Sequence, residues 1–237
     1  MLKVGVTAGP HAEIMETVKN VAEKNGLKIV IVEFNDYLQP NAALNQGDID
    51  LNSFQHQLYL DSLVKDRKYE ITPIAKTMLF PIGIYSKKIN RLEDIAAKST
   101  ILIPNDPANS GRSLQLLARA GLVTLKPLSG YNATTADIIN NPKELVIKEG
   151  DAGHISRLLD GVDLAVINSN YAVIAGLIPT KDALILEAVD SPYTNVIAVR
   201  TRDQDRPEVQ KFILAYHSEE VKQFINDHFK GAILTAW

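Results

Sequence analysis

The chain has 237 residues, 46% hydrophobic and 22% charged, and carries a formal net charge of -3. Such a chain can bury a sizeable core, either as one large domain or as two of about 100 to 120 residues. It offers no basic footprint for nucleic acid and no apolar run near the ~20 residues that cross a bilayer. With no cysteine, it also has no disulfide, thiolate metal site or cysteine nucleophile.

In chain order, a β-branched run at 2–7 precedes a helical pattern over 12–24, where Ile14, Val18 and Val21 share one face. A second run at 27–34 completes a βαβ signature. A short strand at 49–51 leads through Asn52 and Ser53 into a helix expected over 55–64. This places Phe54, His56 and Tyr59 at a strand end. Strands follow at 71–75 and 82–85, with Phe80 between them as a candidate apolar wall. Aromatic edges attract a thioether modestly, so such a wall suits an uncharged sulfur-bearing side chain. For Phe54 alone, plain core packing is the simpler reading.

The segment from Ile101 to Leu114 is the most informative. A buried strand at 100–103 ends in a polar turn, and a helix expected over 110–120 points its free amides out of the strand's C-terminal edge, where open α/β sheets bind ligands. Arg112 then falls in the first helical turn, where the dipole favours acids. A bidentate clamp on a ligand carboxylate accounts for it, against the plainer reading of a solvated or salt-bridged arginine.

Strands expected at 145–148 and 164–167, with a helix over 155–159 between them, lead to a second polar turn, Asn168-Ser169-Asn170, before a helix over 170–175. After a strand at 183–186, a third turn, Ser191-Pro192-Tyr193-Thr194-Asn195, precedes a strand at 196–199. Asparagine donates and accepts, so it can meet both ends of a zwitterion. Capping and turn roles are the alternative for Asn168, Asn170 and Asn195. Residues 207–229 read as two helices, with Pro207 at a first helical position and Ser218 as a cap. No repeat or flexible tether separates parts of the chain, so two lobes would be joined by crossing strands near 82–84 and 196–199. Residues 1–83 with 198–237 are expected to form lobe I, and 84–197 lobe II.

No nucleophile elbow, phosphate-binding glycine loop or zinc-protease motif is present. His11, His56, His154, His217 and His228 share no metal-ligand spacing. Ser110, His56 and Glu187 are the nearest acid, base and nucleophile candidates, and nothing spaces them as a triad. No catalytic residue, metal or cofactor is therefore expected.

Taken together, Phe34-Asn35-Asp36-Tyr37, Gln39-Pro40-Asn41, Gly47-Asp48-Ile49-Asp50, Phe54-Gln55-His56, Tyr85-Ser86-Lys87-Lys88-Ile89, Ile103-Pro104-Asn105-Asp106-Pro107, Gly111-Arg112-Ser113-Leu114, Ala165-Val166-Ile167-Asn168 and Ser191-Pro192-Tyr193 with Asn195 resemble the methionine-binding lipoproteins of ABC importers, the NlpA/MetQ family. The resemblance spans nearly the whole chain. It implies a type II periplasmic-binding fold of two α/β lobes with a ligand cleft between them. The implied role is capture of methionine outside the cytoplasm and delivery to an importer of permease and ATPase subunits. The resemblance implies export and, as is usual in the family, a tether through a lipidated cysteine near the mature N-terminus, whereas these 237 residues hold no cysteine.

Carried over by position, the family's carboxylate-binding arginine falls on Arg112 and its ligand asparagine on Asn195. The aromatic and histidine motif falls on Phe54, His56 and Tyr59, with Leu58 where proline is common. Asn170 matches some members, Phe80 stands where relatives have an aromatic residue, and Met78 stands where an aromatic is also found. D-methionine, a methionyl dipeptide, another amino acid, or an enzymatic role on the same fold are the alternatives.

Overall fold

Residues 1–237 are described by a computed structural model. The N-terminal strand β1 (Leu2–Thr7) runs into helix α1 (Pro10–Lys24), which begins with proline at a position where the missing N–H costs nothing. Ile14, Met15, Val18, Val21 and Ala22 form its buried stripe. Strand β2 (Ile29–Phe34) follows and pairs with β1 in parallel. Helix α2 (Gln39–Gln46) ends at Gly47, whose φ of 91° closes the helix in the left-handed region.

The next strand departs from expectation. Strand β3 spans Leu51–His56 rather than 49–51, and helix α3 starts only at Gln57 (Gln57–Arg67). Asn52 and Ser53, expected to link strand to helix, and Gln55, expected to begin the helix, instead continue a fully buried strand. Their amides are satisfied internally: Asn52 and Gln55 donate to Asn41 Oδ1 at 2.9 and 2.8 Å, and Asn41 donates to Gln55 Oε1 at 2.6 Å. A closed amide network removes the desolvation cost that otherwise keeps such residues out of a central strand. Strand β4 (Ile71–Leu79) follows.

The chain then enters a second unit, residues 81–188. It comprises β5 (Gly83–Tyr85), β6 (Thr100–Pro104), α4 (Pro107–Arg119), the paired short strands β7 (Thr124–Leu125) and β8 (Ile138–Asn140), β9 (Val146–Gly150), α5 (Ala152–Ile155), β10 (Leu164–Ile167), α6 (Ser169–Ile174), α7 (Pro179–Asp182) and β11 (Ile185–Leu186). Its main sheet has the order β11-β5-β10-β6-β9, with β6 parallel to β9 and β10 while β5 runs antiparallel to β10 and β11. Ile82, Ile84, Ile101, Ile103, Leu114, Leu117, Leu164 and Val166 form the centre of its core.

The chain returns to the first unit at Val189 with β12 (Thr194–Arg200), α8 (Pro207–Tyr216), α9 (Glu219–Phe229) and β13 (Leu234–Thr235). The first unit, 1–80 with 189–237, has the sheet order β13-β4-β12-β3-β1-β2. One core gathers α1, α8 and α9 through Ile14, Val18, Phe212, Val221 and Ile225. A second, around Leu44, Leu60 and Ile71, includes Val196 and Ala198 of β12. The expected lobe II of 84–197 cuts through β12. That strand lies whole in the first unit because it pairs along its length with β3 and β4. Residues 81–83 belong to the second unit instead of the first.

Candidate functional site

The first unit gathers five of the residues singled out from sequence. His56 closes β3 and caps α3, its Nδ1 accepting the Tyr59 N–H at 3.0 Å. Tyr59 packs edge-on against Phe54 at 6.4 Å between ring centroids and against His56 at 6.2 Å, and its hydroxyl donates to the Tyr37 carbonyl at 3.0 Å. Two aromatic residues not singled out complete this group: Tyr37, 6.0 Å from Phe54, and Tyr193, 5.1 Å from His56. Asn195 lies opposite His56 across the β12–β3 ladder, beside an irregularity in β12's register. An irregularity of that kind re-aims a side chain.

Asn195 Nδ2 lies 3.0 Å from Nε2 of His11, whose Nδ1 lies 2.8 Å from Thr7 Oγ1. The same imidazole stacks on Phe80 at 4.2 Å. Burial lowers the His11 pKa to about 3, so the ring is neutral. Met78 is wholly buried in the α1/α8 core, with the Tyr216 hydroxyl 3.9 Å from its sulfur. It is a packing residue.

The second unit holds Arg112 and Asn170. Helix α4 begins at Pro107, three residues before the expected start, because Asp106 caps it by accepting the Asn109 N–H at 2.9 Å. Arg112 therefore sits in the second turn, and the dipole argument built on a first-turn position does not apply. What holds a guanidinium there is a buried carboxylate. Arg112 Nε donates to Glu187 Oε1 at 3.0 Å and its Nη2 to Oε2, with the two side chains only 3% and 5% exposed. Glu187 Oε2 also accepts the Ile82 N–H at 3.3 Å, and the Glu187 N–H bonds the Ile82 carbonyl at 2.9 Å. The acid thus ties Arg112 to the strand edge where the chain enters this unit.

A polar relay runs beside it. Asp106 takes both carboxylate contacts from Asn109 Nδ2, at 3.0 and 3.1 Å. That orientation leaves Asn109 Oδ1 to accept from Asn168 Nδ2 at 3.1 Å. Burial pushes the Asp106 carboxyl up, with the Asn109 bonds opposing. Asn168 stands at the N-cap of α6 but makes no capping bond, and its Oδ1 is buried with no protein partner. The capping reading of Asn168 is thereby set aside. A buried acceptor left in this state costs stability unless a donor arrives. Asn170 follows at 2% exposure.

The acid–base candidates are all engaged. Ser110 donates to Glu149 at 2.8 Å, His56 caps α3, and Glu187 pairs with Arg112. His11, Tyr37, Tyr193 and Asn109, none of them a candidate from the sequence, contact Asn195, Phe54, His56 and Asn168 respectively, and Glu187, expected only among acid–base candidates, pairs with Arg112.

The family described as NlpA lipoprotein matches residues 2–237. The chain belongs to this family. A nutrient-binding protein from Burkholderia cenocepacia, in a structure bound to methionine, is 51% identical, with a TM-score of 0.98 and 100% of both chains covered. The D-methionine-binding lipoprotein MetQ of Salmonella typhimurium is 46% identical over 100% of this chain and 88% of its own. Outer membrane lipoprotein 3 of Mannheimia haemolytica is 44% identical over 100% of this chain and 90% of its own. With solved relatives of this similarity, the chain has the α/β fold of periplasmic substrate-binding proteins.

Proposed function

We propose that this protein is an extracytoplasmic receptor that captures methionine and hands it to an ABC importer. The observation that carries this reading is the end-to-end likeness, at 51% identity, to a protein whose structure holds methionine. The site chemistry supports it. A guanidinium has five donors, so Arg112 can serve Glu187 and a ligand carboxylate together. Asn168 and Asn170 in the second unit and Asn195 in the first carry buried amides, which both donate and accept and so suit the two ends of a zwitterion. Phe54, Tyr59, Phe80 and His56 supply the aromatic surface that a thioether prefers.

The Salmonella relative's name favours D-methionine as a second reading. The aromatic surface reads a side chain common to both isomers, so stereochemistry rests on the amides. No helix is long and apolar enough to cross a membrane. We propose attachment through a lipid carried on a segment outside these 237 residues, and the permease and ATPase subunits of an importer as partners.

The test is calorimetry on protein unfolded to release co-purified ligand and then refolded. Saturable binding of L- or D-methionine is expected, with the tighter isomer naming the substrate. A correctly refolded protein that binds neither would overturn the proposal.

A further inference from the structure

We infer that His11 is a positioning residue for Asn195: as the Nδ1–H tautomer, it accepts one Asn195 amide hydrogen at Nε2 and so turns the asparagine's carbonyl oxygen toward the ligand's ammonium. The inference rests on the reading that Asn195 contacts the ligand. It adds a residue that touches no ligand itself, and it adds a direction for the amide.

Three contacts lead to it. Asn195 presents Nδ2, a donor, to His11 Nε2 at 3.0 Å, so that ring nitrogen must be the acceptor. The ring proton then sits on Nδ1, 2.8 Å from Thr7 Oγ1, which accepts it. The ring's face stacks on Phe80 at 4.2 Å with an interplanar angle of 22°. One imidazole therefore sets both a polar and an apolar member of the proposed ligand surface. All the parts are buried: Thr7 is 1%, His11 3%, Asn195 4% and Phe80 6% exposed. Little water competes for the ring nitrogens, and a charged ring would set its Nε2–H donor against the amide hydrogens of Asn195. His11 also lies in the first turn of α1, where the amide dipoles oppose a positive charge.

An asparagine whose nitrogen is tethered offers an oxygen to its other partner. The ligand end that meets Asn195 must therefore carry a hydrogen-bond donor. A free α-ammonium fits; an N-acylated amine or an α-hydroxy acid fits less well. This narrows the proposed ligand to one whose α-amine is unblocked.

The test combines binding, coupling and spectroscopy on the full chain. His11→Phe keeps the stack on Phe80 and removes the acceptor, and methionine affinity should fall about tenfold or more. The double variant His11→Phe/Asn195→Ala should bind within about twofold of Asn195→Ala alone, because one effect acts through the other. Should His11→Phe fold poorly, Thr7→Val is nearly isosteric and removes the Nδ1–H acceptor. It should weaken binding and shift the ring toward the Nε2–H tautomer. His11→Gln restores an acceptor and should recover most of the affinity. Nitrogen chemical shifts of the His11 ring should report a neutral ring protonated at Nδ1.

Wild-type affinity in His11→Phe, alongside a weakened Asn195→Ala, would sink the inference and spare the site reading. Unchanged affinity in Asn195→Ala would sink both. A ring protonated at Nε2 in the wild type would reverse the amide and overturn the ammonium assignment.

Discussion

Burying Arg112 against Glu187 takes two charges out of water, and their pairing compensates only while both are present. Arg112→Ala should therefore cost about 3 kcal/mol of stability as well as about 2 kcal/mol or more of methionine affinity. Arg112→Met combined with Glu187→Gln removes both charges, and should regain much of the stability without regaining the affinity. Denaturation and calorimetry on the same samples separate the two effects; affinity recovered in the double variant would remove Arg112 from the site. His11 gives a different signature. Its folded pKa is about 3 against an ordinary 6.5. Below that ordinary value the unfolded chain binds a proton that the folded chain refuses. Stability is thus full above it and falls as pH drops toward the folded pKa, by up to about 1.4 kcal/mol per pH unit from this group alone. Urea melts across this range should lose that slope in His11→Gln. Parallel curves for the two proteins would show that His11 does not titrate this way.

At the scale of elements, helix α4 carries Arg112 and is held close to the segment that includes Tyr131 and Ala133. A Cβ on Gly111 would lie 2.2 Å from the Tyr131 carbonyl oxygen and 3.1 Å from the Ala133 nitrogen. Both neighbours are backbone, so neither can swing aside. Alanine is the better helix former by about 1 kcal/mol, but overpacking of this kind costs about 1 to 3 kcal/mol and requires movement. Gly111→Ala should be destabilising on balance and should displace α4 with its arginine, weakening methionine binding. A variant with unchanged melting temperature and affinity would mean the 131–133 segment yields freely.

For the molecule as a whole, binding to the folded state alone raises stability by linkage, about 2.7 kcal/mol at a ligand concentration one hundred times Kd. In a chain of this size that corresponds to a rise of roughly 5 to 10 °C in Tm. Across a thermal-shift panel, methionine and selenomethionine should give the largest shifts. Norleucine keeps the length but loses the sulfur contact with the rings, so its shift should be smaller yet measurable. Glutamate and lysine should give none, because each brings an unpaired charge to an aromatic surface. A larger shift from either charged amino acid than from methionine would overturn the assignment of Phe54, Tyr59 and Phe80 to the side chain.

The sequence by itself determined the α/β class, because β-branched runs alternating with amphipathic helices have few packed solutions. It also determined the family, because the order of its short phrases runs the length of the chain. It located the polar strand ends as well. Tertiary structure alone decided how their side chains are used. Asn52 looks like a linking residue and Gln55 like the start of a helix until Asn41, from a neighbouring helix, closes their amides into a network. Arg112 looks exposed until Glu187, 75 residues away, buries with it. His11 looks isolated because its partner Asn195 lies 184 residues further along. Local periodicity reports which face of an element is apolar, and hydrogen-bond partners are chosen only when the sheet order has placed distant strands side by side.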